Sequence, residues 1–112
     1  MNDLTTWTLA AIEKLDRTES ELREEVLKSK RTSTHQRTFS AGFSADAENE
    51  ENPSLKECLL IEAKNFQELA EMEEGFVARG LQRLAKIGDR RQRMSVLFDL
   101  AQRSGAAIQA TN

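Results

Sequence analysis

The 112-residue chain is long enough for one domain of modest size, residues 1–112, and a chain this short buries a smaller share of its surface than a large one does. Charged residues make up 31% and the formal net charge is −3, which points away from a nucleic-acid binder or a polybasic membrane anchor and leaves a protein partner as the default. With one Pro, no Tyr and many Ala, Leu, Glu, Arg and Gln residues, the composition excludes a strand-rich fold, and the chain is predicted to be all-α.

The first helix is predicted over residues 4–30. Leu4, Ile12, Leu15, Leu22 and Val26 recur at helical spacing on one side, with Ala11 among them and Trp7 at the flank. These six larger residues are the expected packing face, Asp3 is the expected N-cap, and Glu13, Arg17, Glu21, Glu24 and Lys28 form the solvated side. Residues 1–15 have neither a basic start nor an apolar run long enough for a signal peptide, and no stretch approaches the roughly 18 to 20 apolar residues that span a bilayer. The expected setting is therefore cytoplasmic, with no membrane insertion by the chain itself.

From residue 31 to residue 52 the periodicity fades into Ser, Thr, Gly and Asn, and the charge turns from basic to acidic at Asp46. This segment is predicted to be a flexible linker, because its composition buries too little apolar surface to offset the entropy of ordering. Phe39 and Phe43 could pin it locally, and hydroxyls beside Arg31 and Arg37 are potential phosphorylation sites.

A second helix is predicted over residues 54–109, opened by a capping box between Ser54 and Glu57 after Pro53. Apolar or small residues return every seven at Leu59, Phe66, Gly80, Ile87, Met94, Ala101 and Ile108, with Glu73 the exception. Gly88-Asp89 could end one helix and cap the next, but the repeat keeps phase from Ile87 to Met94, which favours a continuous or gently kinked helix. Cys58 is the only cysteine, so an intrachain disulfide and a thiolate-based zinc site within one chain are ruled out, and a reducing compartment is expected.

The apolar stripe of this helix is wide. Leu69, Phe76 and Leu97 lie three residues after repeat positions, and Ala70, Val77, Leu84, Phe98 and Gly105 lie four after. A face this broad fits a helical hairpin or coiled coil that belongs to a three- or four-helix bundle. A first helix ending near residue 30 would cover only about half of the second. The expected partner-binding surface is the remainder, Leu84, Ile87, Met94, Leu97, Phe98, Ala101 and Ile108. Arg90 and Arg91 interrupt it, either as side chains that snorkel at its edge or as a polar layer that sets register.

The stretch Gly80-Leu-Gln-Arg-Leu-Ala-Lys-Ile-Gly-Asp-Arg-Arg-Gln-Arg-Met-Ser-Val-Leu resembles the centre of a SNARE motif, in which an Arg or Gln stands three residues after one apolar layer and four before the next. Ile87, Arg90, Met94, Leu97 and Ala101 match that spacing within residues 80–108. The resemblance implies a helix of a four-helix membrane-fusion bundle with Arg90 in its central ionic layer. The chain departs from the family in lacking a membrane anchor.

Enzyme chemistry has little material to work with. His35, the only histidine, lies in the expected linker with no carboxylate or thiol at a defined spacing, and the glycines are scattered rather than clustered after a strand. No catalytic residue, metal site or cofactor is expected. Arg79, Arg83, Lys86, Arg90, Arg91, Arg93 and Arg103 make the C-terminal half basic, while residues 46–74 are acidic. That asymmetry supports a nucleic-acid-associated helical protein as one alternative. Without interleaved aromatics or a recognition-helix turn, it reads better as a dipolar pattern that orients helix pairing, including antiparallel self-pairing. The expected function is a non-enzymatic interaction subunit, adaptor or small chaperone, homo- or hetero-oligomeric, that packs its amphipathic helices against partner helices.

Overall fold

The computed structural model describes the backbone of residues 3–111 and the side chains of residues 3–105. Two helices, α1 (Asp3–Glu48) and α2 (Pro53–Thr111), are joined by a short turn at residues 49–52 into an all-α hairpin.

The turn explains where each helix stops. Asn49 donates its side-chain amide to the Ala45 carbonyl at 3.3 Å, and the Glu50 amide closes the final turn onto the Ala47 carbonyl at 3.3 Å. Asn52 then caps α2: its Oδ1 accepts from the amides of Ser54 at 3.0 Å and Leu55 at 3.3 Å, and its carbonyl accepts the first helical bond from Lys56 at 2.9 Å. Pro53 is thus the first helical residue, where its missing amide is harmless. The cap is Asn52, two residues earlier than the expected Ser54 box, because the asparagine carboxamide reaches the same orphan amides.

α1 does not stop at residue 30. The segment expected to be a linker is helical to Glu48. Its hydroxyls, which made it look like loop, bond their own helix instead: Thr32 to the Lys28 carbonyl, Ser33 and Thr34 to Lys30, and Thr38 to Thr34, all at 2.9 to 3.0 Å. α2 runs unbroken through Gly88, and no described glycine takes a positive φ that would mark a helix stop.

The chain divides into two compact units, one comprising Glu24–Leu81 and the other Met1–Arg23 with Gln82–Asn112. In the first unit the α1 residues shielded from solvent include Val26, Ser29, Ser33, Gln36, Ser40, Phe43 and Ala47, at an alternating three- and four-residue spacing, with Thr32 and Ser44 beside them. Those of α2 are Leu59, Ala63, Phe66, Ala70, Glu73, Val77 and Gly80. The spacing of 3.5 keeps one narrow edge of each helix turned to the other. Contacts between the helices run antiparallel. Phe43 stacks on Phe66 with centroids 5.7 Å apart, Phe39 meets the same ring at 5.3 Å, the Ser40 hydroxyl donates to the Ala63 carbonyl at 2.7 Å, and Arg37 forms a two-pronged ion pair with Glu74.

This seam is built from small residues. Ala47, Ala63, Ala70 and Gly80 are buried, and no large side chain among the described residues is fully buried. At Gly80 the approach is so close that an added Cβ would lie 2.5 Å from Val26 Cγ2. One polar atom in the seam, Gln36 Oε1, is buried without a hydrogen-bond partner. The second unit keeps the spacing with larger side chains: its shielded residues include Thr5, Thr8, Ile12, Leu15, Glu19 and Leu22 of α1 and Leu84, Ile87, Arg91, Met94, Phe98, Ala101 and Gly105 of α2. Thr8, only 3% exposed, is satisfied by the carbonyls of Leu4 and Thr5 at 2.9 and 3.0 Å.

Candidate functional site

The residues expected to contact a partner fall in two classes. Leu84, Ile87, Met94, Phe98 and Ala101 stand at seam positions of the unit that also contains residues 1–23 of α1, and Leu97 lies half-exposed beside them. The expectation of an uncovered face rested on a short α1. Because α1 extends to Glu48, the part of it before residue 24 is available to cover this stretch. Ile108 lies outside the residues whose side chains are described. On α1, Ile12, Leu15, Leu22 and Val26 occupy the seam as expected from their spacing, whereas Leu4 and Trp7 do not: Leu4 is 40% exposed and Trp7 70%. One turn from the helix start, the seam passes through Thr5 and Thr8 instead.

The two arginines separate cleanly. Arg91 is at a seam position and pairs with Asp16 of α1, the guanidinium donating from Nε to Oδ1. Its hydrogen bond holds the Asp16 carboxyl below the usual carboxylate range, against desolvation and with the help of its charge. Arg90, the residue that the SNARE comparison puts in an ionic layer, is exposed at the side of the seam.

Beside this seam the second unit has a groove of about 720 Å³. Its floor is apolar: Ala11 and Leu15 from α1, Ile87 and Met94 from α2. Its walls are cationic, with Lys14 on one helix and Arg83, Lys86, Arg90 and Arg93 on the other, against the single carboxylate of Asp89. The four α2 cations share one stripe because their numbers advance by three, four and three, the spacing that keeps residues on one helix face. Among the described residues none of the five cations makes an ion pair, in contrast to Arg91, Arg37 and Arg23. The basic character of this stretch was readable in the sequence. The part of Lys14 was not, since only the hairpin brings it to residues some 70 positions away.

The other unit presents an outward stripe on α2. Leu69 is 43% exposed, Met72 60% and Phe76 49%, one above another at helical spacing, with the Arg79 guanidinium 4.8 Å above the Phe76 ring. Glu62 and Glu68 are exposed on the same helix. The unit as a whole has twelve acidic residues against seven Lys and Arg.

No group of three His, Cys, Asp or Glu among the described residues is placed to hold a metal ion, and His35 and Cys58 are both exposed. Among the described residues no helix is long and apolar enough to cross a membrane. No family model matches the chain, and no curated protein or solved structure matches it either.

Proposed function

We propose that the protein is a non-enzymatic assembly subunit, a helical hairpin whose outward apolar stripes pack against the helices of a partner to complete a three- or four-helix bundle. One observation carries this reading: in the Glu24–Leu81 unit Ala47, Ala63, Ala70 and Gly80 are buried, while Leu69, Met72 and Phe76 stay 43–60% exposed. A hairpin selected to stand alone would put Leu69, Met72 and Phe76 in its seam and Ala63 and Ala70 outside, because burial of a large side chain contributes ~1.5–3 kcal/mol and burial of an alanine far less. This chain does the reverse, and a contiguous outward apolar stripe marks an interaction surface. The ion pair of Arg91 with Asp16 supports a register-setting role for that arginine within the subunit. A lone exposed cysteine suits a reducing compartment, so the cytoplasm is the proposed setting.

The test compares outward with seam substitutions. Leu69→Gln/Met72→Gln/Phe76→Gln should retain the helicity of the dilute chain and abolish the rise of its melting midpoint with concentration or added partner. Val26→Ala, in the seam, should lower the midpoint at every concentration. If the outward variant unfolds the dilute hairpin as thoroughly as Val26→Ala does, those side chains are already packed within one chain and the reading fails.

A further inference from the structure

We propose that the basic groove receives a second copy of this chain, specifically the acidic, apolar-faced segment 62–76 of that copy's α2. The inference rests on the assembly reading above and names its partner.

Complementarity argues for this occupant in three ways. The groove has an apolar floor, Leu15, Ile87 and Met94, between walls bearing Arg83, Lys86, Arg90 and Arg93. Segment 62–76 is its converse, an apolar ridge of Leu69, Met72 and Phe76 accompanied by the exposed carboxylates of Glu62 and Glu68. The lengths also agree. Arg83 to Arg93 spans about 15 Å of helix, within the roughly 21 Å of residues 62–76, at 1.5 Å per residue. Finally, among the described residues neither the groove's cations nor Glu62 and Glu68 make an ion pair, so charge on both surfaces is free to meet.

Nucleic acid is the competing polyanion. It fits less well, because phosphate recognition needs no apolar floor, no aromatic lines the groove for base stacking, and Asp89 sits in its wall. Each copy offers both surfaces, so pairing is reciprocal and yields a closed dimer or a longer assembly.

The experiment is sedimentation equilibrium of the full chain with two charge-reversed variants, Arg83→Glu/Arg90→Glu and Glu62→Lys/Glu68→Lys, each checked for helicity by circular dichroism. The wild type should self-associate, more weakly at about 0.5 M than at about 0.05 M NaCl, as contacts between charged surfaces are screened. Each variant alone should associate on the order of tenfold or more weakly, and an equimolar mixture of the two should recover association. Should a reversed variant lose helicity, the neutral Arg83→Gln/Arg90→Gln variant and the wild-type salt dependence give the same answer. Association unaffected by salt and by both variants overturns the proposal, as does a mixture that stays monomeric while the wild type associates. A wild type that is monomeric at low salt yet binds duplex DNA through Arg83 and Arg90 also overturns it, in favour of nucleic acid. A monomeric wild type whose outward Gln variant still leaves the dilute hairpin's melt unchanged sinks the second-copy inference alone and leaves the assembly reading standing.

Discussion

Replacing Gly80 by Ala should destabilise the hairpin relative to the same replacement at Gly88. In an isolated helix both changes favour folding by about 1 kcal/mol, because glycine has more backbone freedom to lose. At Gly88 nothing lies within 4 Å of the new Cβ, so that gain is kept. At Gly80 the Cβ would stand 2.5 Å from Val26 Cγ2, where carbon contacts settle at about 3.5–4.0 Å. Roughly 1 Å must therefore be found by moving Val26, a β-branched side chain with little rotamer freedom, or by spreading the helices. Overpacking of this kind costs about 1–3 kcal/mol, which is then the expected difference between the two variants, since the propensity gain cancels. Urea unfolding followed by circular dichroism at fixed protein concentration measures it. Adding Val26→Ala should remove most of the penalty of Gly80→Ala, a coupling of roughly 0.5–3 kcal/mol between the sites. If Gly80→Ala stabilises as much as Gly88→Ala, the two helices do not touch at this point and the small-residue seam is wrong.

Gln36→Leu should raise stability by about 1–3 kcal/mol in the same assay, because it removes a buried oxygen that has no partner; a loss of stability would show that the oxygen is satisfied. Asp16 and Glu74 have carboxyl pKa values held below 3.8 and 4.5 by hydrogen bonds from Arg91 and Arg37, so their ion pairs stabilise the fold fully above about pH 5 and cease to as pH falls through the depressed values. In an acid titration of stability, Asp16→Asn with Glu74→Gln should flatten that limb, and an unchanged limb would refute the pairing. Trypsin should spare Arg31 and Arg37 as it spares Arg83, while a Glu-specific protease should cut first at Glu50 or Glu51 in the turn; early tryptic cleavage at Arg37 would contradict a helix through residue 48.

The helical class, the turn before Pro53 and the seven-residue repeat of α2 were legible because they depend on local chemistry: helix formers, a proline with a capping residue, and large apolar side chains in phase. The second half of α1 was not. Its seam carries Ser29, Ser33, Gln36 and Ser40, so the heptad persists in position while the hydrophobic signal that usually reveals it is missing. That omission led to a short α1 and so to an uncovered face at Leu84 to Ile108. For α2 the apolar positions are visible in the sequence, but not which edge of them turns inward. Side-chain size was the available clue, since Ala63, Ala70 and Gly80 permit close helix approach and Leu69, Met72 and Phe76 do not. The groove's cations were visible as a basic stretch, and their meeting with Lys14 required the hairpin.

On this reading the hairpin is incomplete as a single chain. Light scattering of the purified protein across a range of concentrations, with a thermal melt at each, tests it most directly. The mass should rise above the 12.7 kDa of one chain, and the melting midpoint should rise with it. A mass fixed at one chain, with a sharp high-temperature melt independent of concentration, would contradict it.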